Sequence, residues 1–240
     1  MSAQGDRLVA AANRRRIPAS ELREVVMAIG ERKLTVRTLR HTNEDVTSTL
    51  FCVMAPHMFR GVSYVAVEER GYIPLDVHLF LPFAAGTLAS LSAQRCGETF
   101  LGGDFAYDDM RTWLPEHGFA YDAPAEDGTD IVVSGRAVDP SLVWRHGSAP
   151  FRVALAAEDM FVKRLEYLRE DASCARVLDV QATTMLGTTR IPSFMEMSDL
   201  STGTTTSLRL VHAARDMPVD VSIFEPAERR RSVEYLASFT

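Results

Sequence analysis

Apolar and polar residues alternate along much of this chain with the period of two that extended strands require. The pattern predicts strands over residues 34–40, 46–54, 62–68, 76–81 and 87–94, and again over 130–138, 151–155, 174–182, 191–198 and 204–212. Asn43-Glu-Asp45 and Glu69-Arg-Gly71 supply polar turns in the first group. In 62–68, Val65 and Val67 share one face while Val62, Tyr64 and Ala66 share the other, so both sides of that strand are expected to be covered. Ile191, Met195 and Met197 alternate with Phe194, Glu196 and Ser198, the pattern of a half-buried strand. Two stretches read differently. Over 20–30, Leu22, Val25, Val26 and Ile29 fall at i, i+3, i+4 and i+7, with Ser20 suited to the N-cap and Gly30 to the C-terminal cap, so a short amphipathic helix is expected. Over 158–170, Met160, Val162, Leu165 and Leu168 also suit a helix.

Between the two groups of strands lies Glu98-Thr-Phe-Leu-Gly-Gly-Asp-Phe-Ala-Tyr-Asp-Asp-Met110. Gly102-Gly103 reads as a sharp reversal after an extended run, because glycine tolerates backbone angles closed to other residues. Asp104 is placed to cap a short turn that carries Phe105 and Met110 inward. Around this segment, in order, come Ala55-Pro56, Phe59-Arg60-Gly61, Leu81-Pro82, Arg190-Ile-Pro192, Thr202-Gly203 and Ile223-Phe-Glu-Pro226. The ordered set resembles the bacterial outer-membrane lipoprotein-sorting proteins, the LolA-like family, over about residues 46–226. In the central segment only Met110 departs from the family's usual Leu. The resemblance implies a mainly β (α+β) fold: a strongly bent antiparallel half-barrel of about eleven strands enclosing short helices, with an apolar cavity that in relatives holds acyl chains. It also implies a strand where 158–170 suits a helix, and the strand is preferred because tertiary pairing overrides propensity.

Composition narrows the function classes. At 240 residues, 46% hydrophobic and 24% charged, there is ample material for a core. Residues 1–16 are small, polar and basic and are expected to be mobile, with 17–240 a single domain. A net charge of −6 argues against nucleic acid. The cysteines, Cys52, Cys96 and Cys174, are odd in number and widely spaced, against a disulfide framework or zinc site. Arg14-Arg-Arg16 is followed by a polar stretch rather than the apolar core of a secretory signal, and no apolar run is long enough to span a bilayer. With Met1 as the start, the chain is expected in the cytoplasm.

The residues that carry chemistry are few. No Gly-x-Ser-x-Gly, His-Glu-x-x-His, Gly-x-Gly-x-x-Gly or Walker loop is present, and the six histidines have no metal-ligand spacing, so neither metal nor cofactor is expected. Asp104, Tyr107, Asp108 and Asp109 form an acidic group in which a partly buried carboxylate beside the phenol, Asp104 with Tyr107 foremost, is a candidate acid–base pair, against the plainer alternative of a capping Asp and a packed Tyr. His57 and His78, which flank strand ends, are candidate bases, against a satisfied or exposed His. Glu196 anchors a polar ligand end if it faces inward, and otherwise pairs across strands with Arg209. Met54, Met58, Met195 and Met197 fit an irregular apolar ligand or equally a core. Phe105 accompanies them. Trp113 lies in the least regular stretch, 104–128, which reads as a lid, and is the foremost ligand contact. The expected partner is a hydrophobic small molecule or acyl chain. The preferred function, given a cytoplasmic chain, is a cofactor-independent cyclase or isomerase acting on a polyketide- or terpenoid-like substrate; the alternative is a non-catalytic lipid or lipoprotein carrier, and an interaction protein with a collapsed core is a third reading.

Overall fold

A computed structural model of the protein describes residues 2–14, 18–70, 76–84, 86–92, 95–110, 114–138 and 150–239. Among these residues fourteen strands form one antiparallel sheet that does not close. The first six are β1 (Ser20–Ile29), β2 (Arg32–Asn43), β3 (Val46–Ala55), β4 (Ser63–Glu69), β5 (Asp76–Leu81) and β6 (Thr87–Leu91). The short β7 (Phe119–Tyr121) and β8 (Ala125–Asp127) precede β9 (Asp130–Ala137), β10 (Phe151–Ala156) and β11 (Val162–Leu168). The long β12 (Cys174–Leu186), β13 (Thr189–Asp199) and β14 (Thr204–Arg215) complete the set. Their order across the sheet is β6-β5-β4-β3-β2-β1-β14-β13-β12-β11-β10-β9-β7, with β8 also on β9. Only α1 (Ala3–Asn13) and α2 (Ser232–Ala237) are α-helices among the described residues.

Four sequence expectations change. The strand count is fourteen rather than about eleven, because β7 and β8 lie inside the stretch read as irregular and β1 replaces the expected helix. In β1, Glu21, Arg23, Val25 and Met27 point to one face and Leu22, Glu24 and Val26 to the other, and each residue pairs with β2 and β14. Gly30, at φ +56°, is not a helix cap but part of the two-residue turn joining β1 to β2. Residues 3–13, expected to be mobile, form α1. Ser2 caps it by accepting from the Gln4 N–H, and Val9 is fully buried beneath it against Phe119 and Tyr121. The expectation for 158–170 holds: β11 pairs with β10 and β12 along its length.

The glycine pair forms the expected reversal. Gly102 has φ +74°, and Gly103 lies so close to β1 and β14 that a Cβ would come within 3.1 Å of both Ile29 Cδ1 and Thr206 Oγ1. The segment 95–110, three short 3-10 turns, lays Phe100, Phe105 and Tyr107 on the inner face against Phe51, Tyr64 and Met197. A second inner cluster gathers Val9, Tyr121, Phe151, Val153 and Leu155. The C-terminal turns and α2 cover the outer face of β1–β4, where Ile223, Phe224 and Leu236 pack on Leu22, Leu39 and Val65. Both faces of β4 are therefore covered, as its two apolar faces require.

Candidate functional site

A cavity of about 310 Å³ lies on the inner face between the two clusters. It is lined both by Tyr64 of β4 and by Phe151 of β10, which stand eight strand spacings apart in the sheet order. A flat sheet would separate them by about 38 Å. The sheet must therefore bend around the cavity. The aliphatic floor is Val25, Leu165, Leu178, Met195 and Leu208. Val25, Leu165, Leu178 and Met195 are only partly buried although they pack against a closed cluster, and Leu165 touches both clusters. A filled core would have closed over them. Phe105 and Leu114 bound the space opposite the sheet.

One end of the cavity holds a buried ion pair. Glu21, 3% exposed, accepts from Arg23 Nε at 2.5 Å and lies 3.5 Å from Arg40 Nη1. Burial works to raise its pKa, but the charges of Arg23 and Arg40 and the hydrogen bond from Arg23 outweigh it and hold the carboxyl below its ordinary value. Burial lowers the Arg40 pKa, with Glu21 opposing. A second group ties the covering segment to the sheet. Asp109 accepts from the Tyr167 hydroxyl, from the Ala106 N–H at 2.6 Å and from Arg176 Nη1 at 3.2 Å. Arg176 also stacks on the Tyr167 ring at 4.6 Å. Burial raises the Asp109 pKa despite Arg176 and Tyr167, whereas for Arg176 burial works to lower the pKa but the charges of Asp109, Tyr167 and Asp199 and the hydrogen bond to Asp109 together outweigh it and raise it.

Of the residues singled out from the sequence, Phe105 and Met195 line the cavity. Met197 is fully buried in the first cluster. Asp104 does not cap a turn; its carboxylate accepts from Thr204 Oγ1 at 2.5 Å and Thr206 Oγ1 at 2.7 Å, fastening the segment to β14. Tyr107 is packed edge-on to Tyr64 and Phe100 in the core, and burial pushes its pKa up to about 12, away from acid–base work near neutrality. His57 and Met58 sit in an exposed turn after β3, Met58 being 69% exposed. Met54 packs on the outer face. Glu196 also faces outward and accepts from Gln181, while Arg209, opposite Phe194 rather than Glu196, stacks on that ring at 4.4 Å. Asp104, Tyr107, His57 and Glu196 therefore do not converge on one point. Trp113 lies outside the described residues. Sequence reading missed Glu21, Arg23, Arg40 and Tyr167, and placed Asp109 only within the acidic group of the central segment. The signal for the first three was polar residues at inward positions of strands. Among the described residues no group of His, Cys, Asp and Glu is placed to hold a metal, and no helix is long and apolar enough to cross a membrane.

A family model described only as an uncharacterized protein matches residues 45–231, most of the chain. The chain belongs to that family. Its fold is that of the LolA-like outer-membrane lipoprotein-sorting proteins. A domain from Vibrio parahaemolyticus described as an outer-membrane lipoprotein-sorting protein domain superimposes with a TM-score of 0.84 at 15% identity, over 95% of this chain and 98% of that one. A DUF1329 family protein from Desulfovibrio piger gives 0.79 at 14% identity, over 92% and 95%. A LolA superfamily protein from Nitrosomonas europaea gives 0.63 at 14%, over 93% and 98%. No curated protein matches the sequence. The cytoplasmic expectation is corrected by these likenesses, since the fold is shared with proteins described by a role in outer-membrane lipoprotein sorting. The polar start of the sequence is no guide to compartment.

Proposed function

We propose that this protein is a non-catalytic carrier that takes the apolar part of a lipid or lipoprotein into the cavity of a bent half-barrel, and serves the cell envelope. The observation that carries this is the half-buried aliphatic floor between two closed aromatic clusters, Leu165 touching both. A buried methylene contributes about 0.8 kcal/mol, so a chain of about ten methylenes reaches roughly 8 kcal/mol, the scale of micromolar binding. The shared fold of the similar lipoprotein-sorting domain supports the same ligand class. A cyclase or isomerase has no such support: none of the comparisons points to one, and Asp104, Tyr107, His57 and Glu196 do not gather at the cavity.

Displacement of a fluorescent acyl probe tests the proposal. Saturable binding in the low micromolar range, competed by long-chain acyl esters and weakened about tenfold or more by Leu165→Trp, is the expected result. Absence of binding by any apolar probe would refute it.

A further inference from the structure

The cavity has a polar corner at β1–β4, and strand register builds it. Glu21, Arg40 and Thr49 stand side by side across β1, β2 and β3, and the adjacent row runs from Arg23 on β1 to Tyr64 on β4. All five residues line the cavity. Two donors in this corner, Arg40 Nε–H and Tyr64 Oη–H, are shut off from solvent and have no acceptor among the described residues. Tyr64 is fully buried, with its ring held 4.9 Å from that of Phe51 and 5.3 Å from that of Tyr107, so the hydroxyl cannot swing away to find one. Buried donors without partners are rare because each forfeits its hydrogen bond to water.

The charges around the corner say what acceptor would fit. Arg23 and Arg40 face the carboxylate of Glu21, that of Glu68 acts on Arg40 as well, and Asp108 lines the same cavity. Three acids against two guanidinium groups disfavour an anionic head. The cations on the opposite side, Lys163, Arg164 and Arg190, are engaged by Asp130, Glu166 and Asp159.

We infer that Arg40 and Tyr64 form a head-group subsite for a neutral carbonyl, the ester or amide carbonyl of an acylated ligand whose tail lies along Leu165 and Met195. The inference rests on the carrier function proposed above and adds a polarity to it: the carbonyl end enters the β1–β4 corner and the tail runs toward β11–β13.

Competition of the acyl probe by methyl laurate, lauric acid at neutral pH and the alkane of equal heavy-atom count tests the subsite. A purely apolar cavity binds the alkane best, because it is the more apolar molecule. The subsite instead makes the ester tighter than the alkane by roughly fivefold or more, and tighter than the laurate anion. Tyr64→Phe should lower the ester-to-alkane ratio roughly fivefold. Infrared spectra of isotope-labelled methyl laurate on the unaltered protein provide a readout that needs no variant: the carbonyl band moves to lower wavenumber on binding. Alkane binding as tight as or tighter than the ester, or a carbonyl band that does not move, overturns the subsite and leaves the carrier function standing. Tighter binding of laurate than of the ester overturns the neutral head. Failure of all three to compete overturns both.

Discussion

Replacing Asp104 tests whether the covering segment is fastened to the sheet by a carboxylate rather than by apolar packing alone. Asp104 receives hydroxyl hydrogen bonds from Thr204 and Thr206, and its own N–H donates to Thr206 Oγ1 at 2.9 Å. Thr206 is fully buried, so water cannot stand in for a lost partner there. A hydrogen bond to a charged group contributes about 1.5–3 kcal/mol net. Thr206→Val keeps the shape, removes one such bond and leaves the Asp104 N–H without its acceptor, for an expected loss of about 2–4 kcal/mol. Asp104→Ala removes both carboxylate bonds and should lose a similar amount or more. Because the Asp104 carboxylate and the Thr206 hydroxyl share one bond that either substitution removes, the losses should not add: the double variant should retain about 1.5–3 kcal/mol relative to the sum. Urea denaturation of the four proteins measures this, and in a chain of this length each kcal/mol corresponds to about 2–4 °C in thermal midpoint. A coupling under about 0.5 kcal/mol would refute the fastening and leave packing by Phe100 and Phe105 as the sole anchor.

Two further outcomes follow from the same structure. A Cβ at Gly135 on β9 would come within 2.7 Å of the rings of both Phe151 and Tyr121, so Gly135→Ala should destabilise the second cluster by about 1–3 kcal/mol; an unchanged thermal midpoint would contradict the packing around α1. Glu21→Gln should lower stability at neutral pH by about 1–3 kcal/mol through loss of the buried pairing with Arg23 and Arg40. Since the folded-state pKa of Glu21 is depressed, its contribution is present above the ordinary carboxylate value of 4.5 and is lost as pH falls through the lower folded value. The gap between the two proteins should therefore close in acid, and a gap independent of pH would refute the ion pair.

Much of the sheet was legible because strands covered on one or both faces by apolar groups keep their period of two, as 76–81 did to the residue. β1 was misread for a reason that bears on function. Its inward positions hold Glu21 and Arg23, which face the cavity instead of a core, so the strand lost its alternation and Leu22, Val25, Val26 and Ile29 mimicked a helical stripe. The contact between Asp109 and Tyr167 was invisible for another reason: the two lie far apart in sequence and meet only when the covering segment folds back onto β11. The motif around Gly102 marked that segment, yet its acidic residues read as catalytic candidates because sequence does not reveal that Thr204 and Thr206 meet Asp104 across the fold. Met58 and Met197 looked alike as apolar residues and ended up exposed and fully buried, since only tertiary packing distinguishes them.

The central claim, that the space between the two clusters receives an apolar chain, is tested most directly by a crystal structure with a brominated acyl ester. Anomalous density for bromine among Leu165, Leu178 and Met195 is the expected result. Bromine on the outer face, or a cavity closed by side chains with the ester absent at saturating concentration, would contradict the account.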